Sequence, residues 1–383
     1  MGLFKRGLIY LSVLLSIALA FWVSPEHIKL LVLDELRMEA NAQINDWLSE
    51  PDAFLLSGFD PLNGSQETDS IDFEYDPVHG AIETWIDKSD TEVLLIQRNG
   101  ALVYERYSSN SDKGTAINGM SMVKNLVAIL IGIAIDEGHI ASQHDDVRIY
   151  LPELELKEGE ALSIRDLLNH MSGIKENFFS IISTLRGQSL IADLSEIGFE
   201  SERKFSYRNT NYHLLSLILS RIYQKPFYQV LEDKLWGPMK LAEAKIIGSS
   251  GYCCLFASAR TWLAIGQLYL DKGDFNGTQI VSSDWIEIML NDAENPGRFF
   301  VQTTGKSRGN SYGYHIYRGL EGHPNYFWIE GMGLQVIMIN PYDRTIIVRL
   351  GGIPSWFRFN TNRNDKSLLD DLLTFVAAST SFQ

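Results

Sequence analysis

The chain has 383 residues, 45% of them apolar and 11% aromatic, enough to fill a sizeable core and too many for a disordered chain. Its 48 acidic residues against 33 basic ones leave a formal charge of −15 at pH 7, which argues against an electrostatic hold on nucleic acid or on an anionic membrane surface. The 2 cysteines are neighbours, Cys253 and Cys254, so a long-range disulfide framework is excluded, and the pair reads as two small buried apolar residues rather than a vicinal disulfide.

In chain order, Lys5 and Arg6 precede an apolar run over 7–23, the layout of an export signal. A spanning helix needs about 20 residues, so 1–23 can serve as a signal anchor, while Ala18-Leu19-Ala20 offers the small-x-small pattern of a cleavage site. Either way the basic flank stays inside and the rest of the chain is expected outside, anchored to the inner membrane or free in the periplasm. Ser24, Pro25 and the spacing of Leu31, Leu36, Ile44 and Leu48 predict a neck helix, followed by a Gly-, Pro- and Asp-rich acidic linker to residue 76.

The expected domain covers 77–383. It opens with two apolar runs around Asn99-Gly100, the turn chemistry of a two-residue hairpin. From Ser121 to about residue 290 the periodicity is largely helical, and β-rich runs return in "YGYHIYR", "NYFWIEG", "LQVIMIN" and "TIIVRLG" before a closing helix in "DKSLLDDLLTFVAAS". Strands at both ends with helices between predict an α+β fold: an antiparallel sheet flanked by helices, with a mainly helical region inserted and an N-terminal membrane helix in front.

Ser121 stands three residues before Lys124 at the head of the run "SMVKNLVAILIGIAIDEG". On a helix the two share a face one turn apart, and the helix N-terminus favours a developing oxyanion. Burial in the apolar run favours a neutral amine able to accept a proton. By spacing alone a lysine snorkelling from a helix flank fits as well. A second polar cluster, Tyr207, Asn209 and Asn211, precedes another apolar helix; Tyr-x-Asn supplies a phenol able to relay protons and an amide able to bind a carbonyl, or simply a capped helix start.

Ser-x-x-Lys, then Tyr-x-Asn, then a glycine-containing strand resembles the serine hydrolases that include class C β-lactamases, D-alanyl-D-alanine carboxypeptidases, related esterases and 6-aminohexanoate-dimer hydrolases. The resemblance spans 77–378 and extends to "DVRIYLPEL", "LSIRDLLNHMSGI" and "LFASARTWLAIGQLYLDKGDFNGTQIVSSDWIE" in the expected order. It implies Ser121 as nucleophile, Lys124 as general base, Tyr207 as proton relay and Asn209 as a substrate-binding amide, with no metal and no organic cofactor. In the third motif "WIEGMGLQ", the resemblance gives Gly331, Gly333 and Gln335 substrate-binding places, and a backbone N–H between Met332 and Gln335 completes the oxyanion hole with that of Ser121. The chain departs from the Lys-Thr-Gly of β-lactamases and is nearer the G-x-G-G-Q of the aminohexanoate branch, with Leu334 at a glycine position.

The function expected is an extracytoplasmic serine hydrolase cleaving a small ester or amide through an acyl-enzyme on Ser121. A carboxypeptidase or β-lactamase acting on peptidoglycan peptides or β-lactams is the alternative, and an inactive membrane-tethered binding protein a third. His139, His144, Asp145 and Asp146 fit no helical zinc spacing and read as a surface turn; His170 and His213 read as structural residues in helical runs.

Overall fold

The computed structural model describes residues 53–56, 77–156, 159–175, 194, 197–248, 251–293, 311–320, 322–351 and 365–378, all within the unit Asp52–Gln383. The expected membrane segment and neck helix lie outside the described residues. Among the described residues no helix is long and apolar enough to cross a membrane.

The first described strand, β1 (Ala53–Leu56), falls inside the stretch whose composition reads as linker. Its few apolar residues are enough to pair antiparallel with a strand of the domain, β5 (Ala244–Ile247), and Leu56 is fully buried there. With β6 (Leu255–Ala257) and β4 (Ile117–Asn118) these form a small sheet in the order β1-β5-β6-β4, beyond the single sheet expected from the sequence.

The main sheet begins with β2 (Thr91–Arg98) and β3 (Ala101–Tyr107). Asn99 and Gly100 join them with φ of 50° and 83°, the left-handed pair that a type I′ turn requires. Five strands from the end of the domain complete it: β9 (Ser311–Gly313), β10 (Ile316–Leu320), β11 (His323–Gly331), β12 (Gln335–Asn340) and β13 (Thr345–Gly351). All neighbours are antiparallel in the order β3-β2-β13-β12-β11-β10-β9, so β2 closes against the last strand among the described residues.

The central strands β12 and β13 are buried along their whole length because helices cover both faces. On one face Ile337, Ile339, Ile346 and Val348 join the core of α6 (Ala259–Leu270); on the other Val336, Met338 and Ile347 meet α1 (Pro77–Lys88) and the closing helix α8 (Asp365–Ala378). The helical region lies between: α2 (Val123–Asp136), buried from Val123 to Ala134, the short α3 (Ile164–Leu168) begun by a Ser163–Asp166 capping box, and α4 (Asn209–Tyr223), which packs on both. The short α5 (Phe227–Leu231) follows α4, and the β7 (Asp274–Phe275) and β8 (Thr278–Gln279) pair and α7 (Ser283–Asn291) follow α6. The all-round burial of α2 explains its nearly unbroken apolar sequence.

Candidate active site

Strand β4 delivers the chain to Ser121. The Gly119 N–H is held by the Leu255 carbonyl (2.9 Å), and Asn118 Oδ1 accepts the Met120 N–H (2.8 Å), fixing Met120 at φ 50°. Ser121 then lies in a single 3-10 turn, Met120–Met122, rather than in the α-helix itself, and Lys124 enters the first turn of α2. Ser121 is half-buried whereas Lys124 is wholly buried. Lys124 Nζ sits 2.9 Å from Ser121 Oγ and 2.6 Å from the Tyr252 carbonyl. An ammonium donates to both oxygens; a neutral amine donates to the carbonyl and turns its lone pair to the serine hydroxyl, which then donates. Burial favours the second arrangement.

Tyr207 comes to the same place, its ring centroid 5.2 Å from Lys124 Nζ. Asn209 opens α4 two residues later, so the second cluster spans the start of that helix rather than lying wholly ahead of it. Three buried histidines surround this region. His213 lies in α4, but His170 does not belong to a helix: it follows α3 in the left-handed region at φ 57°. His315, at φ 59° in the β9–β10 turn, faces Tyr312 Oη through Nδ1 (2.9 Å) and the Glu330 carbonyl through Nε2 (2.8 Å). With Nε2–H donating to that carbonyl, Nδ1 accepts from the phenol and the ring is neutral.

Burial first, and Lys124 second in its protonated form, hold His170 and His315 well below the ordinary histidine range, and burial pushes His213 down from 6.5 to about 4. The unfolded chain therefore binds protons near pH 6.5 that the native state refuses, and stability is lost as pH falls below that value. His213 alone contributes roughly 3 kcal/mol of loss between pH 6.5 and 4. Urea unfolding of the domain at pH 7 and pH 4.5 checks this; equal stability at the two values contradicts it.

The third motif forms the β11–β12 hairpin. Gly331 pairs with Gln335, and the connecting residues include Gly333 at φ 82° and Leu334 at φ 61°. Leu334 takes the left-handed conformation that a glycine in its place would adopt without strain, and it is held there with its side chain buried. At Gly331 an added Cβ would stand 2.2 Å from the Gly119 carbonyl oxygen, so only glycine lets the end of β11 approach the turn that carries Ser121. Gln335 departs from the substrate-binding place implied for it: its amide donates to the Gly351 carbonyl (2.6 Å) and accepts the Gly351 N–H (3.0 Å), tying β12 to the end of β13.

The sequence reading passed over Arg349, fully buried in β13. It donates to the carbonyls of Gly333 (2.6 Å), Leu334 (3.1 Å), Ser89 (2.6 Å) and Asp90 (3.0 Å) and to Thr91 Oγ1 (2.9 Å). A guanidinium thus bridges the third-motif hairpin to the start of β2. An arginine in an otherwise apolar strand was the available signal, since such a charge survives burial only with several acceptors.

Cys253 and Cys254 are joined in a disulfide, against the expectation of two separate thiols. The bridge directly follows Tyr252, whose carbonyl receives Lys124. The "EGHIASQHDDVRIY" segment is a turn: Asp145 accepts the Ala141 N–H and the Tyr150 hydroxyl, and Asp146 caps the next turn through Arg148 N. Among the described residues no group of His, Cys, Asp and Glu is arranged to hold a metal ion.

Residues 89–251 match the Beta-lactamase family. The 6-aminohexanoate-dimer hydrolase of Paenarthrobacter ureafaciens is 23% identical over 315 residues, covering 71% of this chain and 75% of the relative. Among solved structures, the octameric penicillin-binding protein homologue from Pyrococcus abyssi superposes with a TM-score of 0.60 at 17% identity, over 79% of this chain and 77% of that one. The class C β-lactamase from Rhodobacter sphaeroides gives 0.54 at 15% identity, over 79% and 99%. The two structures agree with this chain in fold.

Proposed function

We propose that this chain, which belongs to the β-lactamase-related serine hydrolases acting on amide or ester bonds, cleaves a small ester or amide through a covalent acyl-enzyme on Ser121. The observation that carries the reading is the 2.9 Å contact between Ser121 Oγ and a wholly buried Lys124 Nζ. Lys124 takes the hydroxyl proton as Ser121 Oγ attacks the substrate carbonyl carbon. The oxyanion that forms is met by the Ser121 N–H, at a helix head where such groups lack intrahelical partners, and by an N–H of the third-motif hairpin. The proton passes by way of Tyr207 to the leaving group as the carbon–heteroatom bond breaks. Water, deprotonated along the same path, then attacks the acyl carbonyl and returns the serine. Asn209 positions the acyl group, and Gly331 and Gly333 keep the strand edge open to it.

The domain is expected to work outside the cytoplasm. Lys5 and Arg6 before the apolar run support export, and a Cys253–Cys254 disulfide suits an oxidising compartment. The Paenarthrobacter relative is named a 6-aminohexanoate-dimer hydrolase, and no lysine or histidine occupies "WIEGMGLQ", which makes a carboxylate-bearing β-lactam or peptidoglycan stem the lesser candidate.

A screen of the soluble domain over short-chain esters, small amides, D-Ala-D-Ala peptides and nitrocefin, with Ser121→Ala alongside, tests the substrate class. Ester or amide turnover that vanishes in the variant is expected. Turnover confined to nitrocefin or D-Ala-D-Ala would contradict the proposal.

A further inference from the structure

The segment carrying Tyr207 is organised around one side chain that none of the steps above uses. His170 is fully buried. Its carbonyl accepts the Ser206 N–H (2.9 Å) and its Nδ1 accepts the Arg208 N–H (3.2 Å), so the N–H groups on either side of Tyr207 both end on His170. The imidazole also lies against the Tyr207 ring, centroids 4.4 Å apart and planes 35° apart. A second donor, Asn211 Nδ2, reaches Nδ1 at 2.8 Å, and Asn211 is itself oriented by Ser172 Oγ on its Oδ1 (2.6 Å).

These contacts explain why the residue is histidine. Nδ1 faces two N–H donors and has no room for a proton, so the ring is neutral with its hydrogen on Nε2. Burial acts in the same direction. Nε2 has no hydrogen-bond partner among the described residues, a cost that an apolar ring of similar shape would avoid. Phenylalanine could lie against Tyr207, but it could not accept the Arg208 N–H. The left-handed φ of 57° is also one that histidine enters more readily than most residues.

We propose that His170 is a positioning residue for Tyr207: its carbonyl and Nδ1 pin the backbone on both sides while its ring face sets the phenol beside Lys124 and the leaving group. The proposal rests on the reading of Tyr207 as the proton relay. A misplaced relay hurts most where the leaving group needs a proton, and least where it departs unaided.

The experiment compares kcat/KM for ethyl butyrate and p-nitrophenyl butyrate, which share an acyl group, in wild type, Tyr207→Phe, His170→Asn and the double variant. Tyr207→Phe and His170→Asn are each expected to lose at least about tenfold more on the ethyl ester than on the nitrophenyl ester. The double variant is expected to be no worse than Tyr207→Phe alone. A selective Tyr207→Phe beside a His170→Asn that lowers both esters equally, or adds fully to it, overturns the positioning role and leaves the relay intact. A Tyr207→Phe without selectivity overturns the relay and the proposal with it. If His170→Asn does not fold, Asn211→Ala removes one donor to Nδ1 with the ring in place. It is expected to show the same selectivity at smaller amplitude, and equal losses on both esters overturn the proposal.

Discussion

Replacing Lys124 with methionine is expected to slow acylation of Ser121 by about 10²–10⁴-fold, the usual contribution of a positioned general base. The size of the effect follows from the geometry. Lys124 Nζ is the basic group at 2.9 Å from Ser121 Oγ, and without it a serine hydroxyl is a weak nucleophile at neutral pH. Methionine has similar length, fills the same buried space and leaves no charge to solvate. It strands the Tyr252 carbonyl, a cost of about 1–3 kcal/mol, so the variant is expected to stay folded with a modestly lowered melting temperature. Stopped-flow acylation with p-nitrophenyl esters and a thermal melt together check this. An unchanged rate in a folded Lys124→Met would remove Lys124 from the mechanism, whereas a lost rate with a collapsed melt would mean that its role is structural.

Arg349→Met should act through stability, with an expected loss of about 3–5 kcal/mol. The guanidinium donates to four carbonyls and one hydroxyl from two separate segments, the Gly333–Leu334 turn and Ser89–Thr91. Burial pushes its pKa down to about 10, still charged at neutral pH. Methionine strands the carbonyls, each an uncompensated cost of about 1–3 kcal/mol where water cannot reach. For a domain of this size the melting temperature is expected to fall by roughly 10 °C. The third-motif turn loses its anchor at the same time, so the variant should also be slower at temperatures where it remains folded. A melt within about 2 °C of wild type would show that water or a rearranged turn takes over the carbonyls.

The sequence revealed those parts of the molecule whose causes are local. Asn99-Gly100 dictates its own turn, the apolar run after Lys124 dictates a buried helix, and Ser121 and Lys124 meet because three residues is one helical turn. What escaped depends on partners far along the chain. His170 meets the Arg208 N–H across 38 residues, and Arg349 reaches Thr91 across 258. Gln335 had a substrate-binding place only through the resemblance to the G-x-G-G-Q run, yet its side-chain amide is joined at both ends to Gly351. Strand β1 was hidden because four residues in an acidic stretch carry too little pattern, and its pairing partner, Ala244–Ile247, is remote. Adjacent cysteines offer no spacing from which a bridge can be judged.

The central claim is that Ser121 attacks, with Lys124 drawing off its proton. Intact-mass spectrometry after exposure to a fluorophosphonate probe tests it most directly. Wild-type protein is expected to gain one adduct, mapping to Ser121 after digestion, and folded Ser121→Ala is expected to gain none. An unlabelled wild type, or a Ser121→Ala variant labelled as fully as wild type, would contradict the account.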